Sequence, residues 1–575
     1  MSRSSGPGCQ NVTSGRPAPS RAGARAGVSR ITRKALGLCG RVRAAMDNAA
    51  TKSLQTARTT IPCTDPATGE VLGEVPAMDR AEVLARLERA RAAQVRWRET
   101  SFAQRRRVVR RILEHILAHD DELCRMISRD SGKTLENATV EMWPICEMLR
   151  WNLGHAEAAL RPQKVSSGLL VHKAARIEYH PLGVIGVICP WNFPLQNVLA
   201  PAIPAIMAGN AALIKVSEWT SWSAPRIQRI FDEALAAEGH SPDLVQLLTG
   251  YADTGAALVG AGVDKIVFTG SMANGRRVLE NAAKTLTPVI LELGGKDPMI
   301  VCEDADLHQA VHNALIGTLT SAGQLCMAAE RIYVFDAAYD EFVAMISRIV
   351  GNLRQGPPLA GGLVDVGAMT MPGQVDIVEK LVADAISKGA RALTGGRRTP
   401  GGQFFAPTVL VDVDHTMAIM KEETFGPVIA VMRVRGEEEA VKLANDSHYG
   451  LSSSVFSKDR VKAERIARKI VAGSTVINDF AMHYMAQDLP FGGVRGSGFG
   501  RLNGAEGLRG MCNVKAVITD RLPIHAAVAM YPVQPGAYEQ GKAILKLLYS
   551  TSLTGRAQGL VDMGKALWKR ATTRR

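Results

Sequence analysis

From Arg80 to about Leu160, apolar side chains recur every three or four residues with charges between them, as in "AEVLARLERARAAQVRW" and "RRVVRRILEHILAHDDELCRMI". That spacing lays one apolar stripe along a helix and predicts an amphipathic helical region. The stretch 165–183, "VSSGLLVHKAARIEYHPLG", reads instead as a hairpin or an extended arm. After it the rhythm changes. "GVIGVICP" (183–190), "NAALIKVS" (210–217), "LVQLLTG" (244–250) and "DKIVFTGS" (264–271) are short, nearly all-apolar runs separated by helical segments. Runs of this kind alternating with helices predict a parallel sheet covered on both faces. A second series, "TPVILELGG", "RIYVF", "FFAPTVL", "GPVIAVMRV" and "GLSSSVFS", runs from 287 to about 457. The expected fold class is α/β, with two sheet-containing domains and no internal repeat.

Length and charge refine this. A chain of 575 residues is too long for one core and fits about two to four domains. A net charge of +14 suggests nucleic acid until it is located. Residues 1–46 carry eight Arg, one Lys and no acid, and residues 521–575 carry nine basic residues against Glu539 and Asp562. Taking +9 and +7 from +14 leaves −2 for residues 47–520, so no nucleic-acid partner is expected. The leader 1–46 reads either as an organelle transit peptide, Arg- and Ser-rich and acid-poor, or as a disordered extension. The location is then mitochondrial or plastid on the first reading and cytoplasmic on the second. In the tail, "YEQGKAILKLLYS" and "GLVDMGKALWKRATTRR" predict two helices. Leu560, Val561, Gly564, Leu567 and Trp568 share one face, with Lys565, Lys569 and Arg570 off it. Such a helix suits peripheral contact with an anionic membrane, or packing against its own body or a sister subunit.

The nine cysteines are scattered, without a CxxC pair, and the histidines form no HxH or HExxH. Neither a disulfide scaffold nor a metal site is expected. One cysteine, Cys326, lies in "TSAGQLCMAAERIYV" (320–334) among small residues. Alone it reads as an ordinary buried cysteine. As a nucleophile it needs a route to thiolate, donors for an oxyanion, and a group to discharge the adduct. Glu292 ends the apolar run of "LELGGKDP", and Asn192 in "CPWNFP" follows the run 183–188. Both stand at carboxyl ends of strands, where α/β proteins build sites. The plainer readings are a helix-capping Asn192 and a solvated loop Glu292.

Taken together, "PWNFP" (190–194), "KVSE" (215–218), "FTGS" (268–271), "LELGGKDP" (291–298), "GQLC" (323–326), "EETFGPV" (422–428) and "PFGGVRGSGFGR" (490–501) resemble the ordered motifs of the aldehyde dehydrogenase superfamily over roughly residues 60–520. The resemblance implies a variant Rossmann cofactor domain (47–163 and 182–293) and an α/β catalytic domain (294–478). It also implies an oligomerisation arm and strand (164–181 and 479–520). Cys326 would attack the aldehyde, Asn192 and the Cys326 N–H would hold the oxyanion, and Glu292 would activate water. NAD, preferred to NADP, would be held by Pro190, Trp191, Lys215, Glu218, Phe268, Thr269, Gly270, Ser271, Leu293, Glu423 and Phe425. Phe193, Leu325, Phe480, His483 and Tyr484 are expected near the aldehyde's tail, though His483 reads equally as a plain loop histidine. "KVSE" departs from the family in having Val216 where proline is commoner, and 478–493 departs from the broad-specificity members. The last segment and the tail look more like a branch from plants, fungi and bacteria. A homodimer or homotetramer is implied. Alternatives are an acylating enzyme using coenzyme A, a cysteine hydrolase, and a non-catalytic NAD-binding protein of the same fold.

Overall fold

The computed structural model describes residues 59–522 and 530–573, so the basic leader lies outside the described residues. The helical region is four helices: Arg80–Trp97, Phe102–Ala118, Asp120–Ser131 and Leu135–Ala159. Asp79 with Glu82 and Ser101 with Gln104 form capping boxes that fix the first two starts. The second apolar run is split at His119, whose φ of −124° and ψ of 27° end one helix before the next begins. Val108, Val109, Ile112 and Ile116, spaced at helical period, are fully buried in the larger of the cores.

Two sheets organise the rest. The first runs in the order Gly498–Phe499, Val289–Leu293, Lys265–Gly270, Val184–Ile188, Ala211–Lys215, Val245–Leu248. All are parallel except the two-residue Gly498–Phe499, which pairs antiparallel with Leu291 and Glu292. Strand order reverses between Val184–Ile188 and Lys265–Gly270, which makes a crevice at their carboxyl ends, the usual ligand position in an open α/β sheet. The second sheet runs Arg391–Thr394, Thr408–Val411, Val428–Val434, Arg331–Phe335, Pro298–Val301, Ser454–Phe456, Val476–Ile477.

One element changes sheet relative to the sequence reading. By its place in the apolar series "TPVILELGG" reads with the second sheet, but Val289–Leu293 pairs with Lys265–Gly270 and belongs to the first, on the side of residue 293 that the family resemblance implies. The next strand, Pro298–Val301, was not foreseen and sits inside the second sheet between Arg331–Phe335 and Ser454–Phe456. Only four residues separate the two strands, and four apolar residues in succession carry no periodicity that distinguishes a new strand. The chain therefore passes from one sheet to the other at Gly294–Asp297.

The arm is a hairpin: Gln163–Val165 pairs with Lys173–Pro181, which pairs on its other side with Cys512–Asp520 over nine residues. The tail helices, Ala537–Tyr549 and Leu553–Thr573, form a second hairpin closed by Ala543 and Ala566 and by the Lys546–Asp562 pair at 2.7 Å. Gly559 permits this closeness, since a Cβ there would lie 2.6 Å from the Leu547 nitrogen. Among the described residues no helix is long and apolar enough to cross a membrane.

Candidate active site

A cavity of about 1740 Å³ opens between the crevice of the first sheet and the loops of the second. Cys326, Glu292 and Asn192 all line it. Glu292 is the fourth residue of Val289–Leu293, buried to 3 % exposure, which rules out the solvated loop acid. Its carboxyl stands beside the Cys326 thiol in the same cavity, and burial pushes it up to about 7. The thiol is pushed well above the ordinary cysteine range, first by burial and then by the facing Glu292. One of the carboxyl's oxygens, Glu292 Oε1, is buried without a hydrogen-bond partner among the described residues.

The loop that carries Cys326 is bent into place by backbone torsion. Ser321, Ala322 and Gly323 take φ of 52°, 55° and 76°, three successive left-handed residues after the helix Leu307–Leu319. Such a run persists only where neighbours hold it. Asn137 accepts from the Ser321 N–H, Gln324 Nε2 donates to the Ser321 carbonyl at 2.8 Å, and the Thr370 N–H donates to Gln324 Oε1 at 2.8 Å. Asn192 Nδ2 donates to the Gln324 carbonyl at 3.0 Å, so its amide faces the Cys326 loop rather than capping a helix. Gly323 is required by contact as well, since a Cβ there would stand 2.1 Å from the Gly426 carbonyl oxygen.

Two buried ion pairs hold the loops that carry the other residues. Lys133 Nζ donates to Glu141 at 2.7 Å and to the Asn192 carbonyl at 2.8 Å, and lies 4.0 Å above the Phe193 ring. Glu141 also accepts from the Leu195 and Gln196 N–H groups, the start of the helix Gln196–Met207. Lys296 donates to Glu330 at 2.7 Å and to Thr424 Oγ1 at 2.8 Å, and Glu330 accepts from the Thr424 and Phe425 N–H groups. None of these four charged residues was singled out from sequence. Lys296 and Glu330 stand inside "LELGGKDP" and "TSAGQLCMAAERIYV", but their pairing is visible only in space.

The expected cofactor residues gather on one wall. Pro190, Trp191, Phe268, Thr269, Gly270 and Ser271 line the crevice, with Ser271 capping the helix Met272–Ala283. Lys215 Nζ donates to Glu218 at 3.2 Å, both facing the cavity. Glu423 accepts from the Gly295 N–H at 3.1 Å, and burial, with repulsion from Glu330, pushes its carboxyl well up. Phe425 packs edge-on to Trp191 at 5.4 Å. Phe193, Leu325, Phe480 and Tyr484 line the cavity too.

Two expected residues stand elsewhere. The Leu293 side chain is turned away and packs against Gly275, where a Cβ would meet it at 2.7 Å. His483 is buried in the short helix Met482–Met485, its Nε2 2.9 Å from Ser474 Oγ, and does not line the cavity. Burial pulls it down to about 4, so it is a neutral core histidine. Its helical neighbours Met482 and Met485 take the cavity wall instead. Among the described residues no three His, Cys, Asp or Glu side chains converge to hold a metal ion.

The doubly wound crevice thus opens onto a buried carboxyl and a cysteine that line one cavity. Residues 53–517 match the aldehyde dehydrogenase family, and the chain belongs to it. It is 40% identical to the 4,4'-diapolycopene aldehyde oxidase of Methylomonas sp., over 85% of this chain and 92% of that protein. It is 36% identical to the glutarate-semialdehyde dehydrogenase of Pseudomonas putida, over 79% and 93%. Among solved structures it superposes on betaine aldehyde dehydrogenase from Staphylococcus aureus in complex with NAD+, with a TM-score of 0.77 and 32% identity, covering 82% of this chain and 94% of that one. An E. coli NADP-dependent enzyme matches with the same TM-score at 33% identity, over 80% and 95%.

Proposed function

We propose that this chain oxidises an aldehyde to a carboxylic acid through a thioester on Cys326, with Glu292 as the proton acceptor and NAD preferred to NADP. The buried Glu292 carboxyl set beside the Cys326 thiol, with Asn192 lining the same cavity, carries the reading. Beyond burial, the facing carboxyls, Glu292 foremost, hold the thiol protonated, and Glu292 is the base at hand in the same cavity. As Glu292 takes the proton, Sγ attacks the aldehyde carbon. Asn192 and the Cys326 N–H stabilise the resulting alkoxide. When bound, NAD supplies the acceptor for the hydride that leaves this carbon. The acyl group then stays on Sγ as a thioester. Glu292 passes the thiol's proton out to solvent through the open cavity and, as carboxylate, takes a proton from the water that attacks the thioester; that proton goes to Sγ as the acid departs and the thiol re-forms. A base so placed argues against transfer to coenzyme A.

The residues present fit NAD. The crevice lies at the point where strand order reverses, and the helix behind Ser271 offers N–H groups to a pyrophosphate. Glu218, fixed by Lys215, would accept from ribose hydroxyls and repel a 2′-phosphate. For assembly we propose a homodimer or homotetramer: Cys512–Asp520 is the outer strand of its sheet, with Val514 and Ile518 exposed. Light scattering that gives a monomer refutes the assembly. The chemistry is tested by NADH formation across aliphatic, aromatic and semialdehyde substrates, with mass analysis of the Cys326 peptide. An acylated Cys326 supports it, and NAD binding without turnover refutes it.

A further inference from the structure

The cavity has two chemically different halves. Its charged lining residues, other than Glu292, come from 215–218, 276–284 and 422–423, around the crevice and the loop of Glu423. The other half is built from the helix Leu135–Ala159, the end of Leu307–Leu319 and the segment 480–491. There the lining is Val140, Trp143, Ile316, Leu325, Phe480 and Met482, with no Lys, Arg, Asp or Glu. Among its neutral polar groups, Asn137 accepts from the Ser321 N–H and Thr320 Oγ1 donates to the Ile316 carbonyl. The nearby Lys133 and Glu141 are buried against each other and do not line the cavity. The rim stays apolar where it meets solvent, with Trp143 58 %, Ile316 51 % and Met482 49 % exposed.

Resting on the reading above, we propose that the substrates are long, uncharged, apolar aldehydes, with the carbonyl at Cys326 and the chain running to the Trp143–Ile316–Met482 rim. A carboxylate or ammonium on the far end would be desolvated there without a partner. The test is kcat/KM for linear aldehydes of four to ten carbons against ω-carboxylate semialdehydes and a trimethylammonium aldehyde. Each added methylene should raise kcat/KM by about fourfold until the rim is reached, as expected for burial of one CH2. Charged aldehydes should fall at least about a hundredfold below decanal. Preference for a charged aldehyde overturns the substrate class and leaves the cysteine chemistry standing, whereas NADH from no aldehyde overturns both. Ile316→Lys, on the exposed rim, should shift the ratio at least about tenfold towards ω-carboxylate aldehydes by offering them a cation. An unchanged ratio overturns the rim's role.

A separate surface carries a second inference. In the tail hairpin the Lys546–Asp562 and Lys569–Glu539 pairs mark one broad side. At 3.6 residues per turn the opposite side presents Ile544, Leu548, Leu560 and Leu567, all exposed. Tyr538, Tyr549 and Trp568 lie exposed along the outer edges, the position aromatic rings take at a membrane interface. With a net charge of +7 over residues 521–575 beside a body of −2, the complementary partner is an anionic lipid surface. The geometry points to the hairpin lying flat on such a surface. The full chain should co-sediment with phosphatidylserine-containing vesicles and at least about tenfold less with neutral ones. Leu548→Asp with Leu567→Asp should abolish co-sedimentation while hexanal oxidation is kept. Absence of vesicle binding in the parent protein, or a change of oligomer size in the variant, overturns it.

Discussion

Replacing Glu292 by glutamine should make the protein more stable at alkaline pH and nearly inactive. The Glu292 carboxyl, 3 % exposed, is pushed from 4.5 to about 7 by burial. That gap corresponds to about 3 kcal/mol against folding once the group is ionised in both states. Because the folded value lies above the unfolded one, the folded chain holds the proton more tightly. Stability therefore falls as pH rises from 4.5 to about 7 and is level beyond. Glutamine never ionises and escapes this loss. Asp297 and Glu423, also buried with raised values, remain in both proteins, so the difference reports Glu292 and its repulsion of them. Thermal melting at pH 4.5 and 8 should show no gain at the lower pH and a gain of about 3–5 °C at the higher. Over the same range kcat of the parent should rise through about pH 7, as the carboxylate forms, and the variant should lack that limb. Both the NADH burst and steady turnover should fall about 10²- to 10⁴-fold, because Glu292 serves both steps. A variant that is less stable at pH 8, or whose difference from the parent is independent of pH, would refute the reasoning.

Lys296→Met leaves Glu330 buried without its cation and releases the Thr424–Phe425 turn, so urea unfolding should lose about 3–5 kcal/mol and KM for NAD should rise. Unchanged values on both measures would show that the pair does not hold the loop. Glu218→Ala should lower kcat/KM for NAD and raise it for NADP, each by about tenfold, as the ribose acceptor and the repelling charge go together. Steady-state kinetics with both cofactors checks this, and a fall with both alike would contradict it.

Most of the first sheet was legible because its strands are short apolar runs between helices, a pattern that only a covered parallel sheet explains. The hydrophobic pattern did not assign the strands on either side of Gly294–Asp297 to different sheets, because two short apolar runs four residues apart read alike; only the family resemblance put the boundary at 293/294. Why glycine stands there is a matter of contact: a Cβ at Gly295 would lie 2.4 Å from the Cys326 carbonyl oxygen, and one at Gly294 would lie 2.3 Å from the Glu423 carboxylate. Within the site, residues in contiguous motifs could be read, since each motif brings its own neighbours. The supports could not: Asn137 reaches Ser321 across 184 positions, and Glu141 reaches the start of Gln196–Met207 across 54. His483 was misplaced by a local rule, because a short helix turns Met482 and Met485 to the cavity and the histidine towards Ser474.

The central claim is that Cys326 forms the covalent bond. Cys326→Ala tests it most directly, with NADH formation from hexanal and decanal followed beside NAD binding by fluorescence titration. NAD should bind with unchanged affinity while oxidation of every aldehyde is abolished, and Cys302→Ala, a change at a buried position outside the cavity, should keep most activity. Aldehyde oxidation surviving in Cys326→Ala would contradict the account.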